Sequence, residues 1–502
     1  MSAGICIMNR NAIAMAADSA VTVGDHAAIH NSANKLFSLS RVAPVGVIVY
    51  ANAALMTVPI EIIVKQYKKQ LADRVFPKLN DYVNDFLDYL RDKAQFFRFD
   101  INEQTYVLQV FSDLMRGLLG DYRIIMSSEQ NNSGKPLDEN GMKKVAESAV
   151  SSTITFVNGI KKRADYHFGE YIENHYLNTF VDLVKKDQNL QWLTDEQIQE
   201  VCKKSFELYD TDFDRGGFVG VAIAGYGEEE IYPHLVHLHI GGVIDTKLKY
   251  NIIENVEISE STTASIAPLA QTDVMQTFLF GINDQFINDL AQEIPKQING
   301  CLDSIDDACF AQDKKEDVRT QLTNVTGRII QHMTETAGNN YMRPIIQSVS
   351  SLPIEELALL AESMINITSL RRKVALDRNI GTVGGPIDVS IISKGDGFIW
   401  LKRKHYFERK YNPQYFYSHF DKKEEVEILM KNDAVKISIE SGEGTLVSNQ
   451  DGIEFVHSEF IRDQMVKLNS DSEVELNVTE NDQYSNSNTL SLSFIRKKMI
   501  LG

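Results

Sequence analysis

The chain has 502 residues, of which 43% are apolar and 24% are charged, a composition typical of a globular protein with roughly two to four domains. Its 69 acidic and 51 basic side chains give a net charge of −18, which argues against binding to nucleic acid or to an anionic membrane. The sequence contains no apolar run long enough to span a membrane and no pattern typical of a secretory signal. We therefore expect a cytoplasmic protein whose four cysteines are reduced.

The first 54 residues have the periodicity of β-strands. In "GICIMNRNAIAMA", apolar residues alternate with small or polar ones on both sides of "NRN", which predicts a hairpin with a buried face. The Val- and Ile-rich run "VGVIVYANAAL" predicts a buried strand. Strand structure is thus expected to begin almost at the first residue.

A helical period follows. Residues 59–92 carry apolar side chains at spacings of three and four, with Pro77 expected to interrupt the run. The polar, turn-rich stretch "MSSEQNNSGKPLDENG" is expected to separate this helix from three others, at about 140–163, 166–188 and 194–208. We interpret residues from about 92 to 215 as a helical insertion.

The rest of the chain alternates strands and helices. Strands are expected in "GGFVGVAIAGYG" and "HLVHLHIGGVI", helices at about 272–298, 314–337 and 354–373, and a further hairpin in "GGPIDVSIISKGDGFIWL". Beyond about residue 407, short alternating charged runs predict a small β-rich C-terminal appendage. This order of hairpins and helices favours a layered α+β fold.

Four stretches of the sequence resemble a known family. The run "GICIMNRNAIAMAADSAVT", followed by "NKLF", "VGVIVYANA" and much later "TVGGPID", resembles proteasome β-type subunits and their bacterial relatives, the Anbu peptidases. Those proteins are N-terminal nucleophile (Ntn) hydrolases. The resemblance implies a four-layer αββα sandwich over residues 2–406, with the insertion within it and the appendage at 407–502.

The resemblance also implies catalytic residues. Ser2 takes the place of the nucleophile that begins the mature chain, so Met1 would have to be removed. Asp18 lies sixteen residues further on, as in the family, and Lys35 in "NKLF" matches the family lysine. The backbone N–H of Ala51 in "YANA" takes the place of the oxyanion hole, where the family usually has glycine.

Two further positions are less specific. The family serine that precedes the third helix has counterparts in Ser265 and Thr272, and the sequence leaves both open. Groups that support the N-terminal amine usually precede a glycine pair, here Gly384–Gly385, but direct counting places apolar residues there. Thr382 and Asp377 are nearby and could substitute if the loop differs in length.

These residue types suit amide hydrolysis on physical grounds. A serine hydroxyl is a weak nucleophile and needs a base, and an α-amino group that titrates at about 7.7–8 can serve as one. The Lys35 ammonium would lower the pKa of that amine by like-charge repulsion, while Asp18 would hold the lysine charged and oriented. We therefore expect a hydrolase that cleaves peptide or other amide bonds with no cofactor.

Other interpretations remain open at this stage. His237 and His239 share a strand face, but a metal site needs a third donor, so we expect no metal there. A catalytically silent proteasome-like scaffold that binds partners is the alternative to the enzyme, and a small-molecule amidase would differ only in substrate. A peptide or protein substrate and an ATP-driven unfolding partner are implied by the resemblance alone. Self-assembly into a ring or a helical stack is also implied by it, and the aromatic side chains at 59–92, which are more than one helix face need hide, favour it as well.

Overall fold

The chain divides into two compact units, Met1–Lys404 and His405–Gly502. The structure is a computed structural model, and in the first unit it describes residues 2–23, 28–92, 100–133, 135–212, 217–305, 314–374 and 383–404. In the second unit it describes the backbone of seven strands. Among the described residues, no helix is both long enough and apolar enough to cross a membrane.

The strands of the first unit are β1 (Ala3–Asn9), β2 (Ala12–Ala17), β3 (Val21–Val23), β4 (Ala28–His30), β5 (Leu36–Ser38), β6 (Val45–Ala51), β7 (Ala54–Leu55), β8 (Val58–Pro59), β9 (Val219–Gly225), β10 (His234–Ile244), β11 (Lys247–Glu257), β12 (Ala264–Ala270), β13 (Asp388–Ser393) and β14 (Gly397–Lys402). Its helices are α1 (Ile60–Leu71), α2 (Leu79–Asp92), α3 (Asp100–Ser133), α4 (Glu139–Gly159), α5 (Phe168–Lys186), α6 (Asp195–Phe206), α7 (Asp273–Phe280), α8 (Asp284–Ser304), α9 (Lys314–Ala337), α10 (Arg343–Val349) and α11 (Ile354–Val374).

The N-terminal hairpin forms the centre of the first sheet, whose antiparallel strand order is β12-β1-β2-β13-β14. Its turn is closed by the side chain of Asn9, whose Oδ1 accepts the backbone N–H groups of Asn11 and Ala12. Every residue of β1 and β2 is buried. The predicted hairpin is therefore present, but both of its faces are covered.

The second sheet has the antiparallel strand order β11-β10-β9-β6-β5. Three clusters of buried residues pack against the faces of the two sheets. One lies between β1, β2 and β13 and helices α7, α10 and α11, and a second lies between the two sheets. The third joins the second sheet to α1, α2 and the helices that follow them. The expected α+β class is confirmed.

Two predictions of local structure were wrong. Helix α3 occupies a region to which the periodicity assigned no helix, and it includes the "MSSEQNNS" half of the stretch expected to form turns. Ser and Asn are only weakly unfavourable in helices, and a helix that has already begun extends cooperatively. Strands β11 and β12 also lie where no strand was expected.

The described residues of the second unit are all in strands. Five form one antiparallel sheet, β15 (Glu427–Lys431), β16 (Ala434–Ile439), β17 (Gly442–Asn449), β18 (Gly452–His457) and β19 (Met465–Val466). Two more, β20 (Val474–Thr479) and β21 (Thr489–Phe494), pair with each other.

Candidate active site

A fully buried carboxylate lies at the centre of the candidate site. Asp18 directly follows β2, and its Oδ1 accepts the backbone N–H of Ala3 at 2.9 Å and the Nζ of Lys35 at 2.6 Å. Its Oδ2 accepts the backbone N–H groups of Ala20 and Gly384, both at 3.1 Å. Four donors therefore replace the water that an ionised carboxylate loses on burial.

Lys35 is the cationic partner of this carboxylate. It directly precedes β5, is only 4% exposed, and donates a second hydrogen bond to the carbonyl oxygen of Ala20 at 2.5 Å. Burial lowers the pKa of the Lys35 ammonium, Asp18 acts in the opposite direction, and the charge of Lys404 lowers it further. Because an ammonium has three N–H groups, the two acceptors found among the described residues leave one for another partner.

Ser2 is held beside this ion pair by the peptide group that joins it to Ala3. Its carbonyl oxygen accepts the N–H of Gln271 at 3.1 Å, and the next N–H along the chain, that of Ala3, is bound by Asp18. Ser2 is 5% exposed, and it lines a cavity of about 440 Å³. The structure thus brings together Ser2, Asp18 and Lys35, the three residues that the sequence analysis placed in one site.

Ala51 lines the same cavity at the end of β6. Its φ of 64° is left-handed, a conformation that costs a residue with a Cβ about 1–2 kcal/mol and that glycine adopts freely. Met56 and Thr57, in the turn between β7 and β8, also have positive φ values and line the cavity. Strained backbone is concentrated at functional sites in other proteins, and here it borders the cavity that holds Ser2.

The two less specific expectations have different outcomes. Ser265 pairs with Met8 at the far end of β1, five positions along β12 from Ala270, which is the partner of Ala3. The structure therefore does not bring Ser265 to the site. Thr272 is better placed, because it follows the Gln271 that binds Ser2. Thr382 and Asp377 lie outside the described residues.

The strand histidines are found in a polar cluster between the sheets. The hydroxyl of Tyr50 lies 2.5 Å from Nε2 of His237 and 2.8 Å from Nε2 of His239. The Tyr50 ring covers Gly220, where an added Cβ would lie 2.1 Å from the ring. Burial and the neighbouring His239 lower the pKa of His237 to about 4. Among the described residues, no group of three His, Cys, Asp or Glu side chains could hold a metal.

One wall of the cavity was not predicted from the sequence. Four residues of α3 line it, Asn102, Thr105, Tyr106 and Gln109. Their spacing of three, four and seven places them on one helix face. The only signal in the sequence was the glycine pair of β10, Gly241–Gly242, which lets the ring of Tyr106 approach the strand.

No protein-family model matches the chain, and no curated protein matches it. Three similar solved structures illustrate what the structure comparison found. An Anbu (Gly-1) mutant from Hyphomicrobium sp. strain MC1 has 10% identity and a TM-score of 0.27, and the match covers 84% of this chain and 99% of that one. Anbu (ancestral beta-subunit) from Yersinia bercovieri has 12% identity and a TM-score of 0.24, and the match covers 83% of this chain and 96% of that one. The helical assembly of the Anbu complex from Pseudomonas aeruginosa has 8% identity and a TM-score of 0.27, and the match covers 82% of this chain and 93% of that one. These TM-scores do not establish a shared fold, so the candidate site rests on the contacts of this chain's own residues.

Proposed function

We propose that this protein is a proteasome-like Ntn hydrolase that cleaves peptide or other amide bonds with Ser2 as its nucleophile. One observation carries the proposal: a single carboxylate oxygen, Oδ1 of Asp18, binds both the N–H that follows Ser2 and the ammonium of Lys35. The three hydrophobic clusters, which alternate with the two sheets, support an αββα sandwich for the first unit.

The reaction begins once an aminopeptidase has removed Met1 and freed the amine of Ser2. That amine accepts the hydroxyl proton while Oγ attacks the substrate carbonyl carbon, and the carbonyl oxygen becomes an oxyanion facing the N–H of Ala51. The protonated amine then gives its proton to the leaving nitrogen as the C–N bond breaks, which leaves an ester on Ser2. Water attacks the ester by the same proton path and restores the enzyme.

Lys35 sets the protonation state of the amine in this proposal. A positive charge a few ångström away disfavours a second one, so the Ser2 amine stays neutral at a lower pH than an isolated α-amine would. Asp18 keeps that lysine in place through its short hydrogen bond. Replacing Lys35 should therefore lower the rate of acylation by orders of magnitude.

The test is covalent labelling of Ser2 by a peptide epoxyketone, which reacts with both a hydroxyl and a free amine. Intact mass should show that the purified protein lacks Met1, and peptide mapping should place the label on Ser2. Lys35→Met should be folded, lack Met1 and remain unlabelled. Lys68→Met, which removes another partly buried lysine of lowered pKa from α1, should be labelled as wild type is.

Two results would contradict the proposal. A mass that retains Met1 with no smaller species excludes the free amine. Failure of several epoxyketones to label the well-folded, Met-free protein would instead favour the catalytically silent scaffold. Equal labelling of wild type and Lys35→Met would refute the role of the lysine alone.

The proposal includes self-assembly of copies into a ring or a helical stack, and an ATP-driven partner that delivers unfolded protein substrates. Both parts come from the resemblance of the sequence motifs. The first is supported by exposed apolar side chains on α8 and α9, such as Phe286 and Ile329.

A further inference from the structure

The inserted helix α3 forms part of the cavity in which a substrate of Ser2 would lie. Asn102, Thr105, Tyr106 and Gln109 project from one face of its first turns into the cavity that Ser2 and Ala51 border. A peptide whose carbonyl group lies between Ser2 Oγ and the N–H of Ala51 would therefore have side chains within reach of α3.

The ring of Tyr106 fixes α3 against the second sheet. It lies so close to β10 that a Cβ added to Gly241 would meet its hydroxyl at 2.2 Å, and one added to Gly242 would meet its ring at 2.9 Å. The hydroxyl of Tyr209 also donates to the carbonyl oxygen of Val107, in the next position of α3. This part of the helix is thus packed directly on a buried strand.

The carboxylate of Glu103 makes a second attachment. Its Oε2 accepts the N–H of Asp245 in the turn after β10, and its Oε1 accepts the hydroxyls of Tyr171 and Tyr176 from α5. The first turns of α3 are thereby held from two sides. Side chains on such an element present a fixed pattern of donors and acceptors to a ligand.

The polar groups of the cavity wall are amides and hydroxyls. Among the described residues that line it, none is Asp, Glu, Lys, Arg or His. Asn102 is 8% exposed, and its Oδ1 accepts the hydroxyl of Thr57 at 3.2 Å, which directs its NH₂ group away from Thr57. A charged side chain entering this wall would lose water and gain no opposite charge.

We propose that this cavity selects an uncharged side chain that carries a carbonyl group, of which the carboxamide of glutamine is the best example. The proposal rests on the function proposed above, since it places that side chain on the acyl side of the bond that Ser2 attacks. The carbonyl oxygen of the side chain accepts from the NH₂ of Asn102.

Three epoxyketones that differ only in the residue next to the reactive group provide the test: glutamine, glutamate and methionine, which have nearly the same length and shape. Ser2 should be labelled at least about tenfold faster by the glutamine probe than by either of the others, because a site built to bind a polar group discriminates strongly against analogues that lack it. Asn102→Leu should abolish the preference for glutamine over methionine.

A second variant tests the proposal independently of whether Asn102→Leu folds. Gln109 is an exposed cavity residue, so Gln109→Glu should fold, and its new negative charge should raise the labelling rate of a lysine probe relative to the glutamate probe. The matched control is Gln104→Glu, which adds the same charge to α3 at an exposed position that does not line the cavity, and it should leave that ratio as in wild type. An unchanged ratio in Gln109→Glu would overturn the placement of the probe's side chain against α3.

Non-covalent binding separates this inference from the proposed nucleophile. Calorimetry on Ser2→Ala should show binding of acetyl-glutamine amide that is at least about tenfold tighter than that of the glutamate or methionine compound. Equal labelling by all three probes overturns the selectivity and leaves the nucleophile standing. Selective binding without labelling of wild type overturns the nucleophile and leaves the selectivity standing. Neither labelling nor binding overturns both.

Discussion

Asp18 connects three parts of the chain that are far apart in sequence. Its two oxygens bind the start of β1 through Ala3, the residue before β5 through Lys35, and the segment before β13 through Gly384. Loss of its charge would leave a buried ammonium without its partner, which typically costs about 3–5 kcal/mol. The residue therefore supports the fold of the site as well as its chemistry.

His237 makes a separate contribution to the stability of the protein in acid. Its pKa of about 4 in the folded chain lies below the ordinary 6.5, so the unfolded chain binds more protons between these two values and stability falls as the pH falls. Between pH 7 and pH 4.5 this one group should cost about 2 kcal/mol of unfolding free energy. Urea unfolding of wild type and His237→Gln at both pH values measures the difference.

The glutamine variant should lose less stability in acid than wild type does, whatever its stability at pH 7. His175→Gln, which replaces an exposed histidine, is the control and should follow wild type. If His237→Gln and wild type lost the same stability between the two pH values, the low pKa of His237 would be refuted.

At this scale the sequence predicts contacts that depend on short stretches of chain. Ser2 and Asp18 lie at the two ends of the β1–β2 hairpin, and Lys35 directly precedes β5. Their spacing in the sequence was therefore enough to predict that they lie in one site. Choosing between Ser265 and Thr272 required the register of β12 against β1, which depends on packing between segments more than 250 residues apart. No local pattern carries that information.

At the scale of elements, the contact between α3 and β10 depends on two residues that have no side chain. A Cβ on Gly242 would lie 2.9 Å from the ring of Tyr106, so Gly242→Ala should displace the ring and lower the unfolding free energy by about 1–3 kcal/mol. Tyr106→Ala should cost about 3–5 kcal/mol by removing a buried ring. Chemical denaturation of the single and double variants measures these effects.

The double variant tests the contact itself. The three atoms nearest to the added methyl group all belong to the ring of Tyr106, so Gly242→Ala should lower the unfolding free energy by much less in the Tyr106→Ala background. Gly120→Ala, at an open position of the same helix, should instead stabilise the protein by about 0.5–1 kcal/mol. Strictly additive costs for Gly242 and Tyr106 would show that α3 does not dock on β10 through this ring.

The sequence predicted the elements of the sheets better than it predicted α3. Strand β10 has the bounds of its expected string and β9 lies inside its own, since a short apolar run between turn-forming residues is a strong local signal. The first half of α3 mixes buried and exposed residues, and its end is polar, so its helical structure depends on contacts with β10, α4 and α5. The same dependence hid the cavity wall from the sequence analysis.

At the scale of the whole molecule, the surface expected to mediate self-association differs from the one that the sequence suggested. The aromatic side chains at 59–92 were expected to be too many for one face to hide, but Tyr67, Tyr82, Phe86 and Tyr89 are all buried within this chain. Exposed apolar side chains occur instead on α8 and α9, where only a few residues are fully buried. Self-association through this helix pair remains a prediction.

Light scattering at micromolar concentration should therefore report a mass well above 56.7 kDa, the mass of one chain. The double variant Phe286→Glu, Ile329→Glu places charges at positions that are 56% and 47% exposed, so it should reduce the mass toward that of one chain without unfolding it. Leu183→Glu on α5, at a position 42% exposed, should leave the assembly intact. A wild-type mass of one chain would contradict the prediction.

The strand order of the first sheet determines when this protein can finish folding during synthesis. The central hairpin of β1 and β2 is made first, but its neighbours β12 and β13 begin at residues 264 and 388. At about 5–20 residues per second, roughly 20–70 s pass between the emergence of β2 and that of β13. The β1 edge of the hairpin stays unpaired until β12 is made, and the β2 edge stays unpaired throughout that interval, so the nascent chain exposes a strand edge with which other chains can pair. The hydrogen bonds to Asp18 are completed only when Gly384 leaves the ribosome.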